Sequence, residues 1–178
     1  MAILRNKTRK EISKEEMQKY RNDIAEGIKS VYGCNYDDKT KVNVNVDIDV
    51  LSKDDFCDPY TTRHEINIVD KLKKKNAGEA EIGGGKMYIL LGVCEGEVNS
   101  LGRTAAHEFG HLLGLEHIND EDNIMNGETD GRNVSIGQIR QAYSNFNTRR
   151  INRNIRGVEL KEEEERRASY IYSKYKIQ

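Results

Sequence analysis

His107-Glu108-Phe109-Gly110-His111-Leu112-Leu113-Gly114-Leu115-Glu116-His117 reads H-E-x-x-H-x-x-G-x-x-H, and each fixed position has a mechanical reason. His107 and His111 are four residues apart. A helix puts them on one face about a turn apart, where two imidazoles can grip one metal ion. Glu108 follows the first histidine, and in this motif the glutamate is a general base rather than a ligand. Gly114 can take φ > 0 at little cost, which suits the residue just past a helix end. The chain can then double back and bring His117 in from another direction. Three histidine nitrogens with one open position make a catalytic zinc site, not a closed structural one. A shuffled chain of this composition would show the full pattern with a probability on the order of 10⁻⁵. Three of the four histidines lie inside it, so a helix that merely carries surface histidines is the weaker reading.

With these residues the chain resembles the metzincin metallopeptidases. Asp122-Asn123-Ile124-Met125-Asn126-Gly127 matches the family's methionine turn, with Met125 eight residues past His117, a spacing similar to the matrixin branch. No tyrosine stands two residues after Met125, so the extra zinc ligand of the astacin and serralysin branches is missing. Ile118 follows His117 where the named branches carry Ser, Asp or Glu. The resemblance implies an α+β, zincin-like fold. Its parts are a mixed twisted sheet with an antiparallel edge strand, a backing helix, a zinc helix and a small C-terminal helical subdomain. It also implies a zinc-dependent endopeptidase acting on protein or peptide substrates. One catalytic Zn²⁺ would be held by His107, His111 and His117, and Glu108 would take the proton of a zinc-bound water. In that family the strand shortly before the zinc helix is an antiparallel edge. Lys86-Met87-Tyr88-Ile89-Leu90-Leu91 is therefore expected to be the substrate-docking edge, with an interior core strand as the other reading. The pocket between the zinc helix and the Met125 turn would choose the side chain after the cut.

The 178 residues suit one domain with a real core. Charged residues are 33% and the net charge is −1, so nothing global argues for nucleic acid. No apolar run approaches the roughly 20 residues that span a bilayer. Residues 1–10 carry no apolar core of a signal peptide, which fits an intracellular chain, a mature form or a domain of something larger. Cys34, Cys57 and Cys94 are odd in number and match no zinc spacing, so simple buried thiols are expected, and none lies in a recognisable inhibitory pro-segment.

Ser13 with Glu16 reads as a capping box, followed by Met17, Tyr20, Ile24, Ile28 and Val31 on one stripe. A helix over residues 13–32 stopped by Gly33 follows, and it suits the family's backing helix. Residues 42–50 alternate apolar and polar, which predicts a half-buried strand. Its outward Asp47 and Asp49 read as solvated positions. Residues 65–70 form a shorter strand, with His64 at its start read as a surface residue. Lys71, Lys73, Lys74 and Lys75 make a solvated basic loop, and no nucleic-acid contact is expected from a patch without aromatics. Gly83-Gly84-Gly85 lacks the strand and helix of a phosphate loop and reads as a flexible lead into the next strand.

Asn99 or Ser100 caps the zinc helix, which Ala105, Phe109 and Leu112 anchor, while Gly110 leaves room for another backbone. Asn119-Asp120-Glu121-Asp122-Asn123 offers oxygen ligands to calcium, but without EF-hand order. Ser135 caps a further helix whose inward residues are expected to be Ile136, Ile139, Ala142, Tyr143 and Phe146. Residues 1–157 form the catalytic domain, and residues 158–178 read as a charged helix packing by its tyrosines, or an interaction tail. A monomer is expected. Two rival functions are a zinc-binding module that does not cleave, and a narrowly specific effector or toxin protease. Glu108 argues against the first, since a site kept only for metal needs no base.

Overall fold

A computed structural model describes residues 2–33, 41–52, 55, 63–73, 76–96 and 98–148. Among the described residues five strands form one sheet: β1 (Ala2–Asn6), β2 (Ile48–Leu51), β3 (His64–Val69), β4 (Gly78–Ala80) and β5 (Lys86–Leu90), in the order β2-β1-β3-β5-β4. The first four positions in that order run parallel, and only β4 is antiparallel to its neighbour. Helices α1 (Lys14–Tyr32) and α3 (Val98–Leu112) pack on each other, and both touch the sheet. Short α2 (Leu91–Cys94) links β5 to α3, and α4 (Ile136–Asn147) closes the described chain. This mixed sheet with an antiparallel edge is the zincin-like α+β arrangement the motif implied.

Helix α1 forms as its pattern requires. Ser13 Oγ accepts from the Glu16 N–H while the Glu16 carboxylate accepts from the Ser13 N–H, satisfying two donors the helix cannot satisfy itself. Met17, Tyr20, Ile24, Ile28 and Val31 are all buried against the core, and Gly33 stops the helix. The crossing of α1 and α3 is made by glycines. A Cβ placed on Gly27 would lie 2.3 Å from the Gly102 carbonyl oxygen.

Three expectations are corrected, and one strand carries no readable pattern. The N-terminal segment, which shows no obvious strand pattern, is β1, and it lies inside the sheet. Ile3 and Leu4 point to opposite faces and are both buried, so alternation is absent. The alternating segment 42–50 is a strand only from Ile48, although its burial still alternates through residues 41–47. The run Lys86 to Leu91 is not the edge. β5 pairs with β3 on one side and β4 on the other, and Leu91 begins α2. Its apolar run is that of an interior strand, with Met87 and Ile89 almost fully buried. The antiparallel edge is the three-residue β4. Finally, Tyr143 and Phe146 do not face inward but are 71% and 61% exposed. Helix α4 instead buries Gln138, Ala142, Ser144 and Asn145, and its inner face combines apolar contact through Ala142 and Ile139 with hydrogen bonds from Gln138 and Asn145.

His64 is half-buried rather than a surface residue. Its Nδ1 is shut from solvent, and burial pulls its pKa down to about 4. Below about pH 6.5 the unfolded chain takes up a proton there that the folded chain refuses, so stability falls as pH drops from 6.5 towards 4. The loss should reach about 3 kcal/mol. Denaturant titrations at pH 7 and pH 4.5 should show wild type losing more stability than His64→Gln, and equal losses would contradict this. Cys94 is a buried free thiol whose pKa burial pushes up to about 12. Cys34, Cys57, the basic positions Lys74 and Lys75, and the tail from residue 149 lie outside the described residues. No described helix is long and apolar enough to cross a membrane.

Candidate metal centre and cleft

Helix α3 presents His107 and His111 one turn apart. It ends as the sequence suggests: Gly114 has φ 79°, its N–H bonds the His111 carbonyl, and the Leu115 N–H reaches back to the Gly110 carbonyl. These two bonds form a Schellman cap. The reversal buries Leu115 and returns the chain over the site, where Ile118 N–H bonds the Met125 carbonyl. His117 thus meets the other two histidines, and its Nε2 lies 3.1 Å from the Nε2 of each.

The protonation pattern is legible from the partners. His107 Nδ1 lies 2.7 Å from the Ile124 carbonyl oxygen, and His111 Nδ1 lies 2.8 Å from that of Leu115. A carbonyl only accepts, so both Nδ1 atoms carry the proton and both Nε2 atoms present lone pairs. Lone pairs this close repel unless a cation lies among them. A tetrahedral ion with Zn–N bonds of about 2.05 Å sets its ligands about 3.3 Å apart, so the donor set fits zinc. Burial lowers the pKa of both ring systems, to about 4 for His107, which keeps them neutral and ready to ligate.

Beneath the triad, Met125 is fully buried, and a Cβ on Gly110 would meet its Sδ at 2.3 Å and the Tyr32 hydroxyl at 2.6 Å. The room left by Gly110 is therefore filled by side chains, not by another backbone. Tyr32 donates its hydroxyl to the Ala106 carbonyl and meets Phe109 edge-on, tying α1 to the zinc helix.

Glu108 is 5% exposed, and burial, with Glu79 nearby, pushes its pKa up to about 8. It lines a cleft of about 650 Å³ together with His107, His117, Arg103 and, on the opposite wall, Ala77 and Gly78. A Cβ on Gly78 would stand 2.6 Å from Glu108 Oε1, so a larger residue where β4 passes would displace the carboxylate. Arg103, one turn before His107, sends Nη2 to the carbonyls of Asn126 and Thr129 and so holds the segment after Met125.

Among the described residues the three histidines are the one cluster of this kind. The acidic loop 119–123 does not converge on a point, and the Asn123 side chain is committed to Gln138 and Met125. Gly78, Arg103 and Gln138 were not legible as site residues, and Asn123 was read only as part of the methionine turn and the acidic loop. Only Gly78, an isolated glycine beside a strand, carried a local signal of close approach.

The site and sheet are those of a metzincin-like zinc metallopeptidase. The profile of the matrixin peptidases matches residues 35–135, more than half the chain, and the chain belongs to that family. Among solved structures, archaemetzincin from Archaeoglobus fulgidus complexed with malonate is similar at a TM-score of 0.41 and 15% identity. That match covers 94% of this chain and 99% of that one. No curated protein sequence matches significantly.

Proposed function

We propose that the chain is an endopeptidase that binds one Zn²⁺ at His107, His111 and His117 and uses Glu108 as its general base. The observation that carries this reading is the convergence of three Nε2 atoms beside a buried carboxylate. When bound, the ion supplies Lewis acidity, which makes a water nucleophilic near neutral pH and stabilises the developing oxyanion. Glu108 accepts the water's proton and passes it to the leaving amine as the carbon–nitrogen bond breaks. Its burial keeps bulk water from competing for that proton, and Gly78 lets the edge strand come close without displacing it.

Substrate lies extended against β4 rather than against residues 86–91. Leu90 N–H bonds the Ala77 carbonyl at 3.0 Å. Alternation along an antiparallel pair then turns the N–H and C=O of Gly78 away from β5, towards the open edge. Those groups are free to pair with a peptide. The pocket between α3 and the Met125 turn receives the side chain after the cut. Residues 1–157 form the catalytic domain, with residues 158–178 a charged appendage.

The test is metal removal. Wild type should contain about one zinc and cleave an unfolded protein, a chelator should abolish cleavage, and added zinc should restore it. Absence of stoichiometric zinc would sink the reading. Bound zinc with no cleavage of any unfolded substrate would move it to a narrowly specific protease or a non-cleaving module.

A further inference from the structure

Helix α4 reaches the methionine turn below the metal centre through a pair of side-chain amides. Asn123 Nδ2 donates to Gln138 Oε1 at 2.9 Å, and Gln138 Nε2 donates back to Asn123 Oδ1 at 3.1 Å. Both residues are buried, at 3% and 9% exposure. The remaining acceptor capacity is also used: Met125 N–H bonds Asn123 Oδ1 and Ser135 N–H bonds Gln138 Oε1, each at 2.9 Å. The backbone repeats the tie, since Asn133 N–H bonds the Asp122 carbonyl and Ile124 N–H bonds the Asn133 carbonyl. Two consequences reach the site from Asn123. The next residue, Ile124, supplies the carbonyl that holds His107 Nδ1. The residue after it, Met125, lies against Gly110 between the two helical histidines.

We propose that the Asn123–Gln138 amide pair is a positioning element of the metal centre, setting the place of the Ile124 carbonyl and through it the tautomer and angle of the His107 ring. The pair touches neither metal nor substrate and acts only through the turn. This rests on His107 being a zinc ligand, as proposed above. A buried amide pair bonded reciprocally, with both oxygens also accepting from the backbone, defines one geometry, whereas apolar packing tolerates small slides. Loss of a partner that orients a ligating histidine typically weakens metal affinity 10- to 100-fold.

The experiment is a zinc affinity measurement on the full chain, by competition with a chromophoric chelator at a temperature where every variant is folded. Gln138→Leu removes the amide and should weaken zinc binding about 10- to 100-fold. Ser135→Ala weakens the cap of the same helix but leaves the amide pair in place, and its affinity should stay within about twofold of wild type. Gln138→Glu, which still accepts from Asn123 and Ser135 but cannot donate, should fall between, and it keeps the test decisive should Gln138→Leu not fold. Wild-type affinity in the Gln138 variants would overturn the proposal. So would an equal loss in Ser135→Ala, because helix stability alone would then account for the effect. A wild type that binds no zinc would instead refute the ligand assignment on which the proposal stands.

Discussion

Glu108→Gln should lower turnover of a peptide substrate by two to four orders of magnitude while the protein keeps its full complement of zinc. The glutamine has nearly the shape of the carboxylate, so it fits the space left by Gly78 without new contacts. It cannot accept a proton, and general-base catalysis of this kind is worth about 10²- to 10⁴-fold. The three histidines are untouched, and the pinned Nδ1 atoms of His107 and His111 hold their rings independently of Glu108. Stability should not fall, because burial already penalises the charged form of this carboxyl and an amide carries no charge there. Zinc content by elemental analysis beside steady-state kinetics checks both halves. A zinc-loaded variant with more than a tenth of wild-type turnover would remove Glu108 from the role of base.

Gly27→Ala should be the most damaging single methyl group in the described chain. Its Cβ would meet the carbonyl oxygen and Cα of Gly102 at 2.3 and 2.4 Å. Backbone in a helix cannot rotate aside as a side chain can, so α1 and α3 must move apart along their whole contact. The alanine gains about 1 kcal/mol of helix propensity. Overpacking typically costs 1–3 kcal/mol or more, and with backbone on the opposing side a net loss of about 3 kcal/mol is expected. For a domain of this size that is a drop of roughly 10 °C in melting temperature. Gly92→Ala is the control, since nothing lies within 4 Å of its Cβ, and it should leave the melting temperature within about 2 °C of wild type. Equal melting temperatures for the two variants would show that the crossing is looser than its geometry.

The contrast between these two sites also shows what was readable in advance. The zinc motif, the helix from Ser13, the reversal at Gly114 and the cap at Ser135 are local: each depends on residues within a few positions, and side-chain chemistry alone decides them. What escaped depends on partners far along the chain. β1 carries two adjacent buried residues because the sheet is covered on both faces there. β4 has three residues, Gly78-Glu79-Ala80, with no apolar pattern, so the longer apolar run beside it took the name of edge. Tyr143 and Phe146 fall on the outer face of α4 because Gln138 and Asn145 find acceptors or amides across the fold, at Asn123 and at the Leu113 carbonyl. The support of the metal centre was the least legible part for the same reason: Asn123 and Gln138 are fifteen positions apart, and nothing in either residue announces the other.

The place of β1 in the sheet bears on how the protein comes into being. β1 is hydrogen-bonded between two strands that follow it in the chain, its register set by residues 48–51 on one side and 64–68 on the other. Parallel pairing of this kind closes long loops before it gains contacts, which slows folding. During synthesis Ile3 and Leu4 therefore meet their first strand partner only after more than forty further residues, and their second only after more than sixty. Only α1, whose pattern is local, can organise in the meantime. The helix would serve as the early platform, and the sheet, with the catalytic edge at its far side, would be the late event.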